Sequence, residues 1–210
     1  MKIIEQSYII EDELDSERIM RSIEKAGRTC YKSEENIKED SAEKFIRAII
    51  KRGHESVIEH EKITVRFITD RGVTHELVRH RIASYSQEST RYCNYSNDKF
   101  GNELTFIMPC FWYGDEEKLN IWKESLKSIE ENYFKLTESG ARPEEARSIL
   151  PNSLKTEIVV TMNMRQWRHY FRMRCDKAAH PQIRELSKNL LAELNEKLPV
   201  LFGDIAEEFM

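Results

Sequence analysis

Residues 79–96, RHRIASYSQESTRYCNYS, set Arg79, Arg81, Arg91 and His80 among short hydroxyl side chains, with Glu88 as the single acid. A guanidinium is a planar fork of donors that matches the oxygens of a phosphate, and Ser84, Ser86, Ser89 and Thr90 add compact hydroxyl donors beside it. A second cationic run, MRQWRHYFRMR at 164–174, carries Arg165, Arg168, Arg172 and Arg174 and no acid. On a helix, Met164, Trp167 and Phe171 take the i, i+3, i+7 spacing of a buried face, and Arg165, Arg168 and Arg172 fall on the other side. These cations lack the i, i+4 acidic partners of an ordinary solvated face. The run also follows Asn163 at the end of a strand, where free N–H groups and the helix dipole favour an anion. Basic clusters in a chain of formal net charge −4 point to a pocket for a small anion more than to a broad nucleic-acid face. No Walker loop and no G-x-G-x-x-G occur, so a nucleotide here must be gripped by side chains and helix ends. No G-x-S-x-G elbow surrounds Ser89, which argues against a serine nucleophile.

The elements that must hold these groups can be read from periodicity. KIIEQSYII reads as a first strand, and SERIMRSIEKAGRTCY as a helix with Ile19, Ile23 and Ala26 on one face and Ser16 as its cap. SAEKFIRAIIKRG is a second helix, striped by Phe45, Ile46, Ile49 and Ile50 and stopped at Gly53. KITVRFITD alternates as a strand. A short helix through VTHELVRHR leads into the serine-rich segment, which reads as irregular, and ELTFIMP is another short strand. Residues 115–140 form a long amphipathic helix, and RPEEARSIL a short one with Pro143 in its first turn. LKTEIVVTMN is the last strand and enters the cationic helix directly, and HPQIRELSKNLLAELNEKL gives the C-terminal helix. Without a regular βαβ rhythm the fold class is α+β.

The chain has 210 residues, 40% of them hydrophobic and 33% charged, which is enough for one sizeable core in a single domain, 1–210. The N-terminus meets acids after two short apolar pairs, unlike a signal peptide, and no apolar run approaches the roughly 18 residues of a membrane span. Cys30, Cys93, Cys110 and Cys175 are scattered with no C-x-x-C, which suits free thiols in a reducing cytoplasm and argues against a zinc ribbon or a disulfide frame.

The segment RHRIASYSQESTRY resembles the signature of the flavin-dependent thymidylate synthases, R-H-R-x-x-S-x-N-x-x-S-x-R, with Arg79, His80, Arg81, Ser84, Ser89 and Arg91 matching at the right spacing. Ser86 stands where that pattern has Asn. Upstream, GHESVIEH is similar to the family's H-x-S/T…E-H segment through His54, Ser56, Glu59 and His60. Downstream, NMRQWRHYFRMR is similar to its N-x-R…R segment through Asn163, Arg165 and Arg174.

The resemblance implies a single α+β domain, a mixed sheet with flanking helices, in a cytoplasmic homotetramer whose sites are shared between subunits. It implies reductive methylation of deoxyuridine monophosphate (dUMP) to thymidylate, with methylenetetrahydrofolate as carbon donor and NADPH-reduced FAD as hydride source. By position, FAD would meet His54, Ser56, Arg79, His80, Arg81, Gln87, Asn163, Arg165 and His169. The nucleotide would meet Glu76, Leu77, Val78, Arg79, Gln87, Glu88, Ser89, Thr90, Arg91, Arg147 and Arg174. Arg174 takes the catalytic role, stabilising the uracil ring as its N3 proton is lost. Family members commonly carry Glu at the position of Gln87, Asn at that of His169 and often Gln at that of Glu76. A thiol-based synthase is the rival, but in MPCFW the residues Phe111 and Trp112 stand where an activating His-Arg would be, and Cys110 reads as a buried apolar thiol. The other class is a non-enzymatic nucleotide- or RNA-binding protein; it would bind without a flavin and with a steep salt dependence. No metal, nucleic acid or membrane is implied.

Overall fold

A computed structural model describes residues 1–93, 95 and 101–210; positions 94 and 96, at the end of the serine-rich segment, lie outside the described residues. The strands are β1 (Lys2–Ile4), β2 (Ser7–Ile10), β3 (Lys62–Asp70), β4 (Ser84–Gln87), β5 (Thr105–Ile107) and β6 (Lys155–Asn163). The helices are α1 (Ser16–Tyr31), α2 (Ser41–Lys51), α3 (Arg71–Leu77), α4 (Glu116–Glu138), α5 (Pro143–Ala146), α6 (Met164–Arg174), α7 (Pro181–Lys197) and α8 (Pro199–Phe209). One sheet has the order β2-β3-β6-β4; β1 and β5 form a separate parallel pair with Ile3 opposite Phe106. The class is α+β.

The chain divides into two compact units, and β2, β3, β4 and β6 contribute residues to both. The first unit comprises Met1–Ser7, Phe67–Arg79 and Ser86–Ile158. Its core gathers Tyr95, Leu104, Phe106, Leu126, Tyr133, Ala146 and Leu154. The second unit comprises Tyr8–Arg66, His80–Tyr85 and Val159–Met210. Ile19, Ile46, Ile58, Trp167, Phe171, Leu190 and Phe202 are among its fully buried side chains. There α1 approaches α2 so closely that a Cβ on Gly27 would lie 2.5 Å from the Phe45 ring. Trp167 ties α6 to β3 by donating its Nε1–H to the Ile63 carbonyl at 3.0 Å.

Several sequence expectations need correction. The first strand is two strands, broken at residues 5–6. The cap of α1 is Asp15, whose carboxylate accepts the Arg18 N–H, and Ser16 is already helical. Part of the serine-rich segment is a strand, β4. The C-terminal helix stops at Lys197, because Leu198 precedes a proline and leaves the helical region (φ −136°, ψ 57°); Pro199 then opens α8. Cys110 is only half-buried, and Cys175 is the buried thiol, its pKa pushed up to about 12 by burial. No disulfide joins any of the four cysteines.

Candidate functional site

Two strand ends turn directly into helices by the same device. At the end of β3, the Asp70 carboxylate accepts the Val73 N–H (2.7 Å) and starts α3; at the end of β6, the Asn163 side chain accepts the Gln166 N–H (2.8 Å) and starts α6. The first junction leads into the motif at Arg79 and the second into the cationic helix. At the second junction the expected anion site is partly filled by the protein itself. The Met164 N–H donates to the Glu61 carbonyl, and the Gln166 N–H is held by Asn163.

In the first unit, Glu76 and Leu77 end α3, followed by exposed Val78 and Arg79. The Gln87 carboxamide donates to Thr74 Oγ1 (3.0 Å) and Thr156 Oγ1 (3.3 Å). Glu88 is locked on both oxygens, by the Tyr95 hydroxyl (3.0 Å) and by Lys155 Nζ (3.1 Å), while its N–H donates to the Glu157 carbonyl. Lys155 also reaches Glu157 at 2.7 Å; burial alone would lower its pKa, but the two carboxylates outweigh that and raise it. Burial, reinforced by Glu88, pushes the Tyr95 phenol far above its ordinary range. This framework fixes the backbone that carries Ser89, Thr90 and Arg91. Arg147 arrives from a turn after α5, with Nη1 3.4 Å from the buried Thr90 hydroxyl. The Arg91 guanidinium lies over the Tyr92 ring, 5.3 Å from its centroid.

In the second unit, Asn163, Arg165 and His169 line a cleft of about 450 Å³ together with Gln166, Ile82 and Arg172, a volume within the ordinary small-ligand range of roughly 300–1,000 Å³. Glu55 and Glu59 bring carboxylates to it, and both are ion-paired. Ser56 sits on the adjoining 3₁₀ turn (Glu55–His60) and His54 just before it, with His54 Nδ1 3.0 Å from the Tyr31 hydroxyl. His80 is buried; its Nε2 accepts from Arg174 Nε at 3.0 Å, and its Nδ1 faces the Gln166 carboxamide at 3.4 Å. Burial, then the charge of Arg174 and then His169, lowers the His80 pKa to about 4, so the ring is neutral at physiological pH.

The arginines divide into two kinds. On α6, Arg165 pairs with Glu59 at 2.6 Å, and Arg172 reaches Asp204 at 3.3 Å. Arg168, placed by helical periodicity on the cationic face, is fully buried. It clamps Asp204 through two 2.7 Å bonds, reaches Glu55 at 3.2 Å and donates to the Leu201 carbonyl. By contrast, Arg79, Arg81, Arg91 and Arg147 have no carboxylate partner among the described residues. Sequence reasoning missed Lys155, Tyr95 and Gln166. The Asn163…Gln166 spacing is that of a capping box, which flags Gln166 as a polar end residue but not its partner His80.

A family model described as thymidylate synthase complementing protein matches residues 14–200. The chain is 34% identical over 186 residues to the flavin-dependent thymidylate synthase of Geobacter sulfurreducens, covering 85% of this chain and 78% of that protein. It is 37% identical over 172 residues to that of Pyrococcus furiosus, covering 81% and 70%. The chain therefore belongs to the flavin-dependent thymidylate synthase family. A solved structure of a UMP/dUMP methylase PolB from Streptomyces cacaoi, bound with 5-Br dUMP, has the same fold, with a TM-score of 0.80 at 20% identity over 100% of this chain and 98% of that one.

Proposed function

We propose that the protein is a flavin-dependent thymidylate synthase that methylates dUMP with methylenetetrahydrofolate, using FAD and NADPH. The observation that carries this reading is the grouping of Ser89, Thr90, Arg91 and Arg147, a set of hydroxyls and forks whose arginines lack carboxylate partners among the described residues. Such a donor set suits a dianionic phosphate. The FAD assignment is supported by donor chemistry as well. Arg79 and Arg81 are exposed without carboxylates among the described residues and suit a pyrophosphate, and the 450 Å³ cleft offers Asn163, Arg165 and His169 beside the apolar Ile82. His54, Ser56, His80 and Gln87 complete the proposed flavin set. When bound, FAD would supply the hydride, drawn from NADPH, that reduces the carbon donated by methylenetetrahydrofolate to a methyl group.

The chain's own task is to hold and activate the uracil. Glu76, Leu77, Val78, Arg79, Gln87 and Glu88 are the remaining proposed nucleotide contacts, and Glu88 and Gln87 serve with their side chains already fixed by Lys155, Tyr95, Thr74 and Thr156. Arg174 stabilises the anion left when the uracil N3 proton is lost, which lowers the pKa of that position and makes C5 nucleophilic. No enzyme thiol is needed. The proposed working unit is one catalytic domain assembled as a cytoplasmic homotetramer with shared sites. Among the described residues, no helix is long and apolar enough to cross a membrane.

The test is the spectrum and turnover of the purified protein. It is expected to be yellow, to bleach with NADPH in the absence of oxygen, and to form thymidylate from dUMP and methylenetetrahydrofolate. A colourless protein that fails to take up added FAD overturns the reading.

A further inference from the structure

His80 is held from every side. Its carbonyl accepts the Tyr85 hydroxyl at 2.6 Å, the Tyr170 ring meets its ring edge-on at 5.2 Å, and the exposed His169 ring lies 5.9 Å away. The two ring nitrogens face Arg174 and Gln166. An arginine Nε–H can only donate, so Nε2 of His80 carries the lone pair. The proton of the neutral ring then sits on Nδ1, and Gln166 must turn its carbonyl oxygen toward it, an orientation set by the hydrogen-bond network. The structure sets Gln166 Nε2 3.4 Å from Nδ1, and exchanging the amide's N and O makes the chain directional: Gln166 Oε1 accepts from His80 Nδ1–H, and His80 Nε2 accepts from Arg174 Nε–H.

We propose that His80, besides its proposed place in the flavin set, is a positioning residue for Arg174, with Gln166 setting its tautomer. The proposal rests on the reading of Arg174 as the group that stabilises the ionised pyrimidine. A free arginine side chain has rotamer entropy to lose, and a guanidinium anchored at Nε enters the reaction with that loss already taken. Preorganised donors contribute most where charge develops in the transition state. The neutral ring is essential to this role. An imidazolium would lose the Nε2 lone pair and repel Arg174, and burial together with the charges of Arg174 and His169 keeps the ring neutral.

The test compares His80→Leu, His80→Gln, Gln166→Leu and Arg174→Ala in flavin-loaded enzyme. The readouts are flavin content, the flavin absorption bands, and kcat at saturating dUMP across a pH series. His80→Leu, saturated with added FAD, is expected to lower kcat per bound flavin by roughly 10- to 100-fold, the scale of a misplaced transition-state donor. The defect shrinks as pH rises, as it does for Arg174→Ala, because solvent hydroxide then ionises N3 unaided. His80→Gln, which offers an acceptor oxygen near the position of Nε2, recovers most of the loss. His80→Leu combined with Arg174→Ala is no worse than Arg174→Ala alone. Should His80→Leu fail to fold, Gln166→Leu carries the same pH signature with a smaller loss. A His80→Leu enzyme whose kcat per bound flavin equals the parent's, full additivity with Arg174→Ala, or a His80→Gln no better than His80→Leu overturns the proposal. A parent enzyme that binds no flavin and makes no thymidylate fails the broader reading before any variant is compared.

Discussion

At the residue scale, His80 couples the site to the stability of the fold. Its pKa of about 4 lies below the ordinary 6.5, with burial as the first cause and Arg174 as the second. Between those two values the unfolded chain binds the proton that the folded chain excludes, so folding stability falls as pH drops from 6.5 toward 4. The full loss is on the order of 3 kcal/mol, and about 2 kcal/mol of it has accrued by pH 5. The other histidines are exposed. In urea unfolding, the parent protein is expected to lose this increment between pH 7.5 and pH 5, whereas His80→Gln loses less by about that amount. A His80→Gln variant whose midpoint drops as steeply as the parent's would sink this account. Protonation of His80 would also strip the acceptor from Arg174, so acid weakens the fold and the proposed catalytic geometry together.

At the element scale, α6 is held by a cation inside the core. Arg168 joins α6 to Asp204 on α8 and to Glu55 on the 3₁₀ turn. Burial alone would raise the Asp204 carboxyl, and the Arg168 fork outweighs it, holding that carboxyl below its ordinary value. Breaking one side of a buried pair costs roughly 3–5 kcal/mol, because the partner is left uncompensated. Since Asp204 remains half-exposed, Arg168→Met is expected near the lower end, with Arg168→Lys only a partial rescue because an ammonium cannot reproduce the bidentate geometry. Thermal and urea unfolding of both variants measures it; an Arg168→Met protein as stable as the parent removes the clamp. The same residue shows where the sequence is legible and where it is not. Period-2 alternation marks β3 and β6, and the i, i+3, i+7 spacing marks Met164, Trp167 and Phe171, because those signals are local. The burial of Arg168 depends on Asp204, 36 positions away, and on Glu55, 113 positions away, which no helical wheel contains. β4 is hidden for a different reason: SYSQ has no apolar alternation to announce it. The motif's arginines are recognisable by type and spacing, yet their separation into committed and uncommitted cations requires knowing which carboxylates fold against them.

At the scale of the whole molecule, the described surface mixes uncompensated arginines with exposed apolar side chains along one stretch of chain. Val78 is 43% exposed beside Arg79, Ile82 is 68% exposed beside Arg81, and Tyr92 is 80% exposed beside Arg91. Aromatic residues and arginines are both enriched at subunit interfaces, and one that also borders an anionic ligand uses both kinds of residue. The proposed homotetramer with shared sites gives these side chains that setting. Closed symmetry then repeats each contact, so a single charged substitution acts at every copy of the interface. Light scattering is expected to give four times the 24.9 kDa chain mass. Tyr92→Glu and Ile82→Glu are expected to shift the protein to smaller species and to lower turnover in parallel, with activity recovering as protein concentration rises. Either a parent protein that is monomeric and fully active, or a Tyr92→Glu variant that dissociates without losing activity, would refute the shared-site arrangement.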